Sequence, residues 1–238
     1  MKAIFLYDLT GVMAAPWLEA GYECWRFDGQ HPAGITRNGN DVTVGMMFDP
    51  YRVHLHAEEI AEMVGPGVEL VFGFPECTDL TVAGARWWEG KREENPAFQD
   101  EALSLCQLVG ITAEACDGVP WAFENPARSW LCTNFRSPDH VFHPCDYAGY
   151  LPPGDVHPLY PDIYPSRDRY NKETGLWTGN GFEIPRLRHM PAFEKDNPGW
   201  KKCGGKSTRT KNIRSCTPRG FAQAVFEANA KVLMDELI

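Results

Sequence analysis

The chain has no Cys-x-x-Cys pair, no internal repeat and no charged-then-apolar leader. No apolar run approaches the ~18 residues that cross a bilayer. These absences predict a soluble, cytoplasmic protein without a membrane span. The eight cysteines are scattered, so free thiols are expected rather than a disulfide framework. His140, His143, Cys145 and His157 match the spacing of no common zinc module, and no metal is expected. Gly204-Gly205-Lys206-Ser207 resembles the end of a phosphate-binding loop. Five residues separate Gly199 from Gly205 where four are required, and no apolar strand precedes them, which excludes that loop.

What is present suits one α/β domain. The 238 residues are 43% hydrophobic, enough for a sizeable core and far from a disordered composition. A net charge of −9 argues against indiscriminate coating of nucleic acid. Seven basic residues and no acidic one nevertheless lie between Trp200 and Gly220: Lys201, Lys202, Lys206, Arg209, Lys211, Arg214 and Arg219. A basic segment on an acidic body fits either local phosphate contact or a solvated loop.

Apolar runs at 2–7, 22–27, 41–48, 68–74 and 119–123 read as strands, and 14–20, 57–63 and 99–109 as helices. The alternation predicts a Rossmann-like, doubly wound, mostly parallel sheet. Asp8, Asp28, Cys77 and Glu124 all fall at predicted carboxyl ends of strands, where such folds carry their chemistry. Residues 137–199, rich in Pro, Gly, Tyr and Asp, read as an irregular substrate-side insertion between a core (1–136) and a basic segment with a final helix (200–238). Short strands are expected around Thr174–Thr178. The final helix is expected to have Thr217 as N-cap, Pro218 at its first position, and a buried stripe of Phe221, Ala222, Val225, Phe226, Val232 and Leu233.

Five segments in order carry a resemblance: YDLTGVMAAPWLEAGYECWRFD, GFPECTDLTVAGARWW, PWAFENPARSWL, HPCDYAGY with RDRYNKETGLWTGN, and GGKSTRTKNIRSCTPRGFAQAVFEAN. Together they resemble the DNA cytosine carbon-5 methyltransferase family, in particular its small Dcm-like members of phages and bacteria. The resemblance covers nearly the whole chain and implies the S-adenosylmethionine-dependent methyltransferase fold. It makes Cys77 the nucleophile, Glu124 the residue that holds the cytosine ring, and Arg169 of the Arg-x-Arg pair a catalytic partner. Asp8, Gly11, Asp28 and Pro75 become the S-adenosylmethionine set. Arg167, Lys206, Arg209, Lys211 and Arg214 become DNA contacts. Met47 stands where the family has an acidic residue near the third strand, with Asp49 beside it. Asp49-Pro50-Tyr51 is one proline short of the Asp-Pro-Pro-Tyr motif of amino-group methyltransferases.

The chemistry explains the residue types. Cytosine carbon-5 is a poor nucleophile until a thiolate adds at carbon-6. Glu76 stands where the family has a second proline, and a carboxylate there is expected to raise the thiol's pKa. Only about 30 residues lie between Gly181 and Lys211, too few for a target-recognition domain of ~50 residues or more; a protein partner for target recognition is one way to supply specificity. Two other classes stay open: a pyrimidine-modifying enzyme with another transferred group or a free-nucleotide substrate, and a DNA-binding relative without turnover.

Overall fold

The computed structural model describes residues 1–205 and 207–231. In chain order it contains β1 (Lys2–Leu6), α1 (Ala15–Glu19), β2 (Glu23–Asn38), β3 (Asp41–Gly45), α2 (Val53–Val64), β4 (Val68–Gly73), α3 (Trp88–Glu94) and α4 (Phe98–Ala115). There follow β5 (Trp121–Pro126), α5 (Leu131–Asn134), β6 (His140–Phe142), β7 (Thr174–Gly179), α6 (Pro198–Lys202), α7 (Thr208–Arg214) and α8 (Arg219–Asn229). Short 3-10 segments occupy Val82–Trp87, Pro144–Tyr150 and Ser166–Asp168.

The described strands form one sheet in the order β3-β2-β1-β4-β5-β7-β6. The first five follow the doubly wound order 3-2-1-4-5, in which the connection reverses direction between β1 and β4. β7 runs antiparallel to both β5 and β6. The expected α/β class and mostly parallel sheet are therefore observed. Residues 137–199 do more than insert irregularly, because β6 and β7 come from them and complete one side of the sheet. β5 also extends past its expected end, so Glu124, Asn125 and Pro126 lie within the strand, opposite Leu176, Gly175 and Thr174.

β2 is long because it turns back on itself. Cys24 to Asp28 pair with Asp41 to Gly45 in ascending register, while Ile35 to Asn38 pair with Val44 to Asp41 in descending register. The returning half thus closes a hairpin against β3 through Gly39, whose φ of +60° suits glycine.

Both faces of β1 are buried, which explains its unbroken apolar run. Side chains alternate across a strand, so Ile4 and Leu6 join Trp25, Phe27, Val71, Ile60 of α2 and Val109 of α4 on one face. Ala3 and Phe5 join Phe72, Trp17 of α1 and Phe221 and Val225 of α8 on the other. α8 starts one residue later than its sequence signals indicate, with Pro218 rather than Thr217 at the N-cap. Val232 and Leu233 lie outside the described residues. All eight cysteines are free thiols. Among the described residues no helix is long and apolar enough to cross a membrane.

Candidate active site

The carboxyl ends of β1 and β2 open onto a cavity of about 60 Å³ at the point where the sheet reverses. Tyr7, Asp8, Thr10, Asp28 and Phe74 line it from the sheet side, and Asn212, Ser215 and Thr217 from the segment around α7. The amides of Gln30 and Asn212 bond reciprocally across it, at 3.2 and 3.4 Å. Tyr7 leaves β1 with φ +60°, a conformation that strains a bulky residue and turns the chain toward Asp8.

Asp8 is buried, with Oδ1 accepting from Gly11 N at 2.8 Å and from the Thr10 hydroxyl at 3.5 Å. Its Oδ2 is buried without a hydrogen-bond partner. Burial raises the Asp8 carboxyl above its ordinary range, against the lowering effect of Arg26. Arg26 in turn grips Asp41 through two 2.8 Å bonds and donates to the carbonyls of Asp8 and Leu9. Gly11 has φ +70°, and a Cβ there would lie 3.1 Å from the Arg26 guanidinium carbon, so the turn requires glycine twice over. Asp28 Oδ1 accepts from Gln30 N at 2.7 Å. Met47, exposed, sits against Gly29, and Asp49 caps the turn before α2 by accepting from Tyr51 N.

Cys77 follows β4 in a turn whose geometry rests on three contacts. Gly73 packs so closely on Val109 that a Cβ would lie 2.4 Å away. The Asn125 side-chain amide donates to Pro75 O at 3.1 Å, tying the turn to the neighbouring strand. Cys77 O accepts from Leu80 N and Thr81 N, which launches the following helical segment. The half-buried thiol is pushed up to about 11, first by burial and then by Glu124, with Lys172 opposing both. Glu76 contributes less than Glu124. It is turned outward, accepts from the Thr78 hydroxyl and faces Lys211 at 3.7 Å.

Glu124 pairs with Lys172, Nζ to Oε1, at 3.2 Å, and both side chains are largely buried. Sequence reasoning missed Lys172. Its position three residues beyond Arg169 offered a weak signal, but its contact depends on the antiparallel seating of β7 beside β5. The Arg-x-Arg pair points elsewhere. Arg169 donates to Pro191 O and lies 3.6 Å from the Phe193 ring centre. Arg167, in the left-handed region, donates its Nε to Ala148 O and its backbone N to Asp155.

The basic segment divides in the same way. Lys211 stands at the mouth of the Cys77 turn beside Glu76, and Arg209 is exposed. Arg214 is committed internally, covering Trp200 and donating to Gly199 O and Cys203 O. Arg219 is held by Asp155 and Asp168. Lys206 lies outside the described residues. The structure thus gathers Asp8 and Asp28 at one cavity, with Gly11 bonded to Asp8 behind it, and brings Glu124 of β5 together with Lys172 just before β7 and with the turn after β4 that carries Pro75 and Cys77.

No protein-family model matches the chain, and no curated protein matches it.

Proposed function

We propose that this chain is a DNA cytosine carbon-5 methyltransferase-like enzyme that works through a covalent Cys77 adduct at cytosine carbon-6. One observation carries the reading. Cys77, four residues past β4, lies within electrostatic reach of Glu124 on the neighbouring parallel strand β5, and Phe74 of the same turn lines the switch-point cavity with Asp8 and Asp28.

The residues at that cavity fit S-adenosylmethionine by their chemistry. The unpartnered, buried Asp8 Oδ2 is an acceptor for an ammonium or amide donor, and Asp28, closing the parallel part of β2, is placed for ribose hydroxyls. When bound, the cofactor supplies an electrophilic methyl group. The cavity of about 60 Å³ is small beside the several hundred Å³ usual for a site that holds a ligand of this size. The exposed Gln30–Asn212 amide pair borders the cavity on the α7 side.

The chain's own groups account for the rest. The Cys77 thiolate forms a bond to cytosine carbon-6, and the electron pair placed on carbon-5 takes the methyl group. Loss of the carbon-5 proton then expels the thiolate and restores the 5,6 double bond. Without substrate, the Glu124 and Lys172 charges oppose each other at the thiol. A cytosine whose ring nitrogen and amino group are held by Glu124 engages the negative member and leaves Lys172 to favour the thiolate. Lys211 and Arg209 supply phosphate contacts beside the mouth.

The test uses DNA duplexes of random sequence with every cytosine replaced by 5-fluorocytosine, incubated with S-adenosylmethionine. A denaturation-resistant protein–DNA adduct, lost in Cys77→Ala, is expected. Wild-type protein that binds this DNA without forming an adduct would overturn the reading.

A further inference from the structure

A second cluster of reactive side chains lies in the segment that follows β6. Cys145 Sγ, a carboxylate oxygen of Asp146 and a ring nitrogen of His189 all lie within 4.8 Å of one another. Nothing in the proposed methyl transfer uses them. In the sequence, Cys145 stands near His140, His143 and His157, and none of the three joins this cluster. His140 instead bonds the Tyr147 hydroxyl at 3.1 Å, and His157 stacks against Tyr164. The histidine that reaches Cys145 is His189, distant in sequence.

The backbone holds this trio together. Arg188 N donates to Asp146 O and Met190 N to Cys145 O, each at 2.9 Å, so His189 is pinned between two anchors directly beside the other ligands. Gly149 N donates to Arg188 O, and a Cβ on Gly149 would meet that oxygen at 2.6 Å, so glycine permits the close approach of the two segments. Asp146 is oriented by His143 N on one oxygen and meets His189 Nδ1 at 2.9 Å with the other. Cys145 Sγ donates to Asn171 Oδ1 at 3.3 Å.

We propose that Cys145, Asp146 and His189 form a binding site for a borderline divalent cation of the zinc class, with a water completing the shell. One thiolate, one imidazole and one carboxylate suit Zn²⁺ or Co²⁺ and not the hard cations Mg²⁺ and Ca²⁺. Tetrahedral bonds of ~2.0–2.3 Å place ligand atoms about 3.5 Å apart. Reaching that spacing takes a small rotation of the exposed His189 ring that exchanges its bond to Asp146 for one to the metal. On binding, the Cys145 S–H proton is released to solvent as the sulfur–metal bond forms, and the ion enters between Asp146 and His189. The site staples the 186–191 segment to the Pro144–Tyr150 turn. It does not depend on the methyltransferase reading.

The experiment titrates the reduced, chelator-treated full chain with Co²⁺ alone. One equivalent is expected to bind, with the visible bands of tetrahedral cobalt and a thiolate-to-cobalt charge-transfer band in the near ultraviolet. His189→Ala, at an exposed position that leaves the fold intact by circular dichroism, is expected to weaken binding by more than about tenfold. Cys145→Ser is expected to abolish the charge-transfer band. Absence of the band in the wild type, or its persistence at unchanged affinity in His189→Ala, overturns the site. Should Cys145→Ser fail to fold, the His189→Ala titration decides alone.

Discussion

Lys172 Nζ stands 3.2 Å from Glu124 Oε1, and the two opposite charges act on the Cys77 thiol from the same largely buried pair. The thiol is pushed up first by burial and then by Glu124, against Lys172, and the neighbouring Glu76 adds less than either member of the pair. Alkylation of Cys77 by iodoacetamide, followed by peptide mass, is expected to accelerate roughly tenfold per pH unit up to about 11. Lys172→Met is expected to slow it by about threefold to tenfold at fixed pH, and Glu124→Gln to speed it by a similar factor. A plateau in the wild-type rate near pH 8 would contradict this account.

Gln30 and Asn212 close the cavity at Asp8 and Asp28 by a reciprocal amide pair on an exposed edge. Asn212→Ala removes that strap without touching the cavity's carboxylates. Faster association of S-adenosylmethionine is expected, by a few-fold, since loss of the strap raises the fraction of open molecules. Stopped-flow fluorescence measures it, and an unchanged association rate would show that the strap does not gate entry.

His157 is buried, its Nδ1 accepting from Leu159 N and Tyr160 N, and burial pushes its pKa down to about 4. The unfolded imidazole takes up a proton below about 6.5, which the folded one refuses until about 4. Its contribution is thus whole above 6.5 and is lost as the pH falls from 6.5 to 4, by up to about 3 kcal/mol. Urea unfolding at stepped pH is expected to show this loss, and His157→Asn, which retains an acceptor, to flatten it. An unaltered acid limb in that variant would exclude His157 as the source.

Asp168 is 1% exposed, holds φ +52°, and accepts from both the backbone N and the guanidinium of Arg219. Arg219 also makes two bonds to Asp155, so one cation answers two carboxylates. Removing it leaves Asp168 charged and buried, and Arg219→Ala is expected to cost about 3–5 kcal/mol in urea unfolding. Arg219→Lys, which cannot span both carboxylates, is expected to recover only part of that. A loss below about 1 kcal/mol for the alanine variant would mean that the triad is not structural.

The parallel core was legible in the sequence because its signals are local. Continuous apolar runs of strand length at 2–6 and 68–73, separated by helical periodicity, allow few arrangements other than a doubly wound sheet with both faces covered. The same locality placed Asp8, Gly11 and Cys77, which lie in the turns that follow β1 and β4, and Asp28, which closes the parallel part of β2. What sequence alone did not settle is every contact made across long separations. β7 lies in a stretch of prolines and glycines, and only its antiparallel seating between β5 and β6 makes those residues part of the sheet. That seating brings Lys172, rather than the arginines of the Arg-x-Arg pair, to Glu124. Likewise, whether a basic residue between 200 and 220 faces outward depends on its partners: Arg214 is half-buried on the carbonyls of Gly199 and Cys203, Arg219 is held by Asp155 and Asp168, and Lys211 stays exposed beside Glu76. Residue type and spacing determined which groups stand at strand ends, because period and turn chemistry act within a few residues. The tertiary structure alone decided which charges meet, because pairing across a sheet is fixed by register and burial rather than by nearness in the chain.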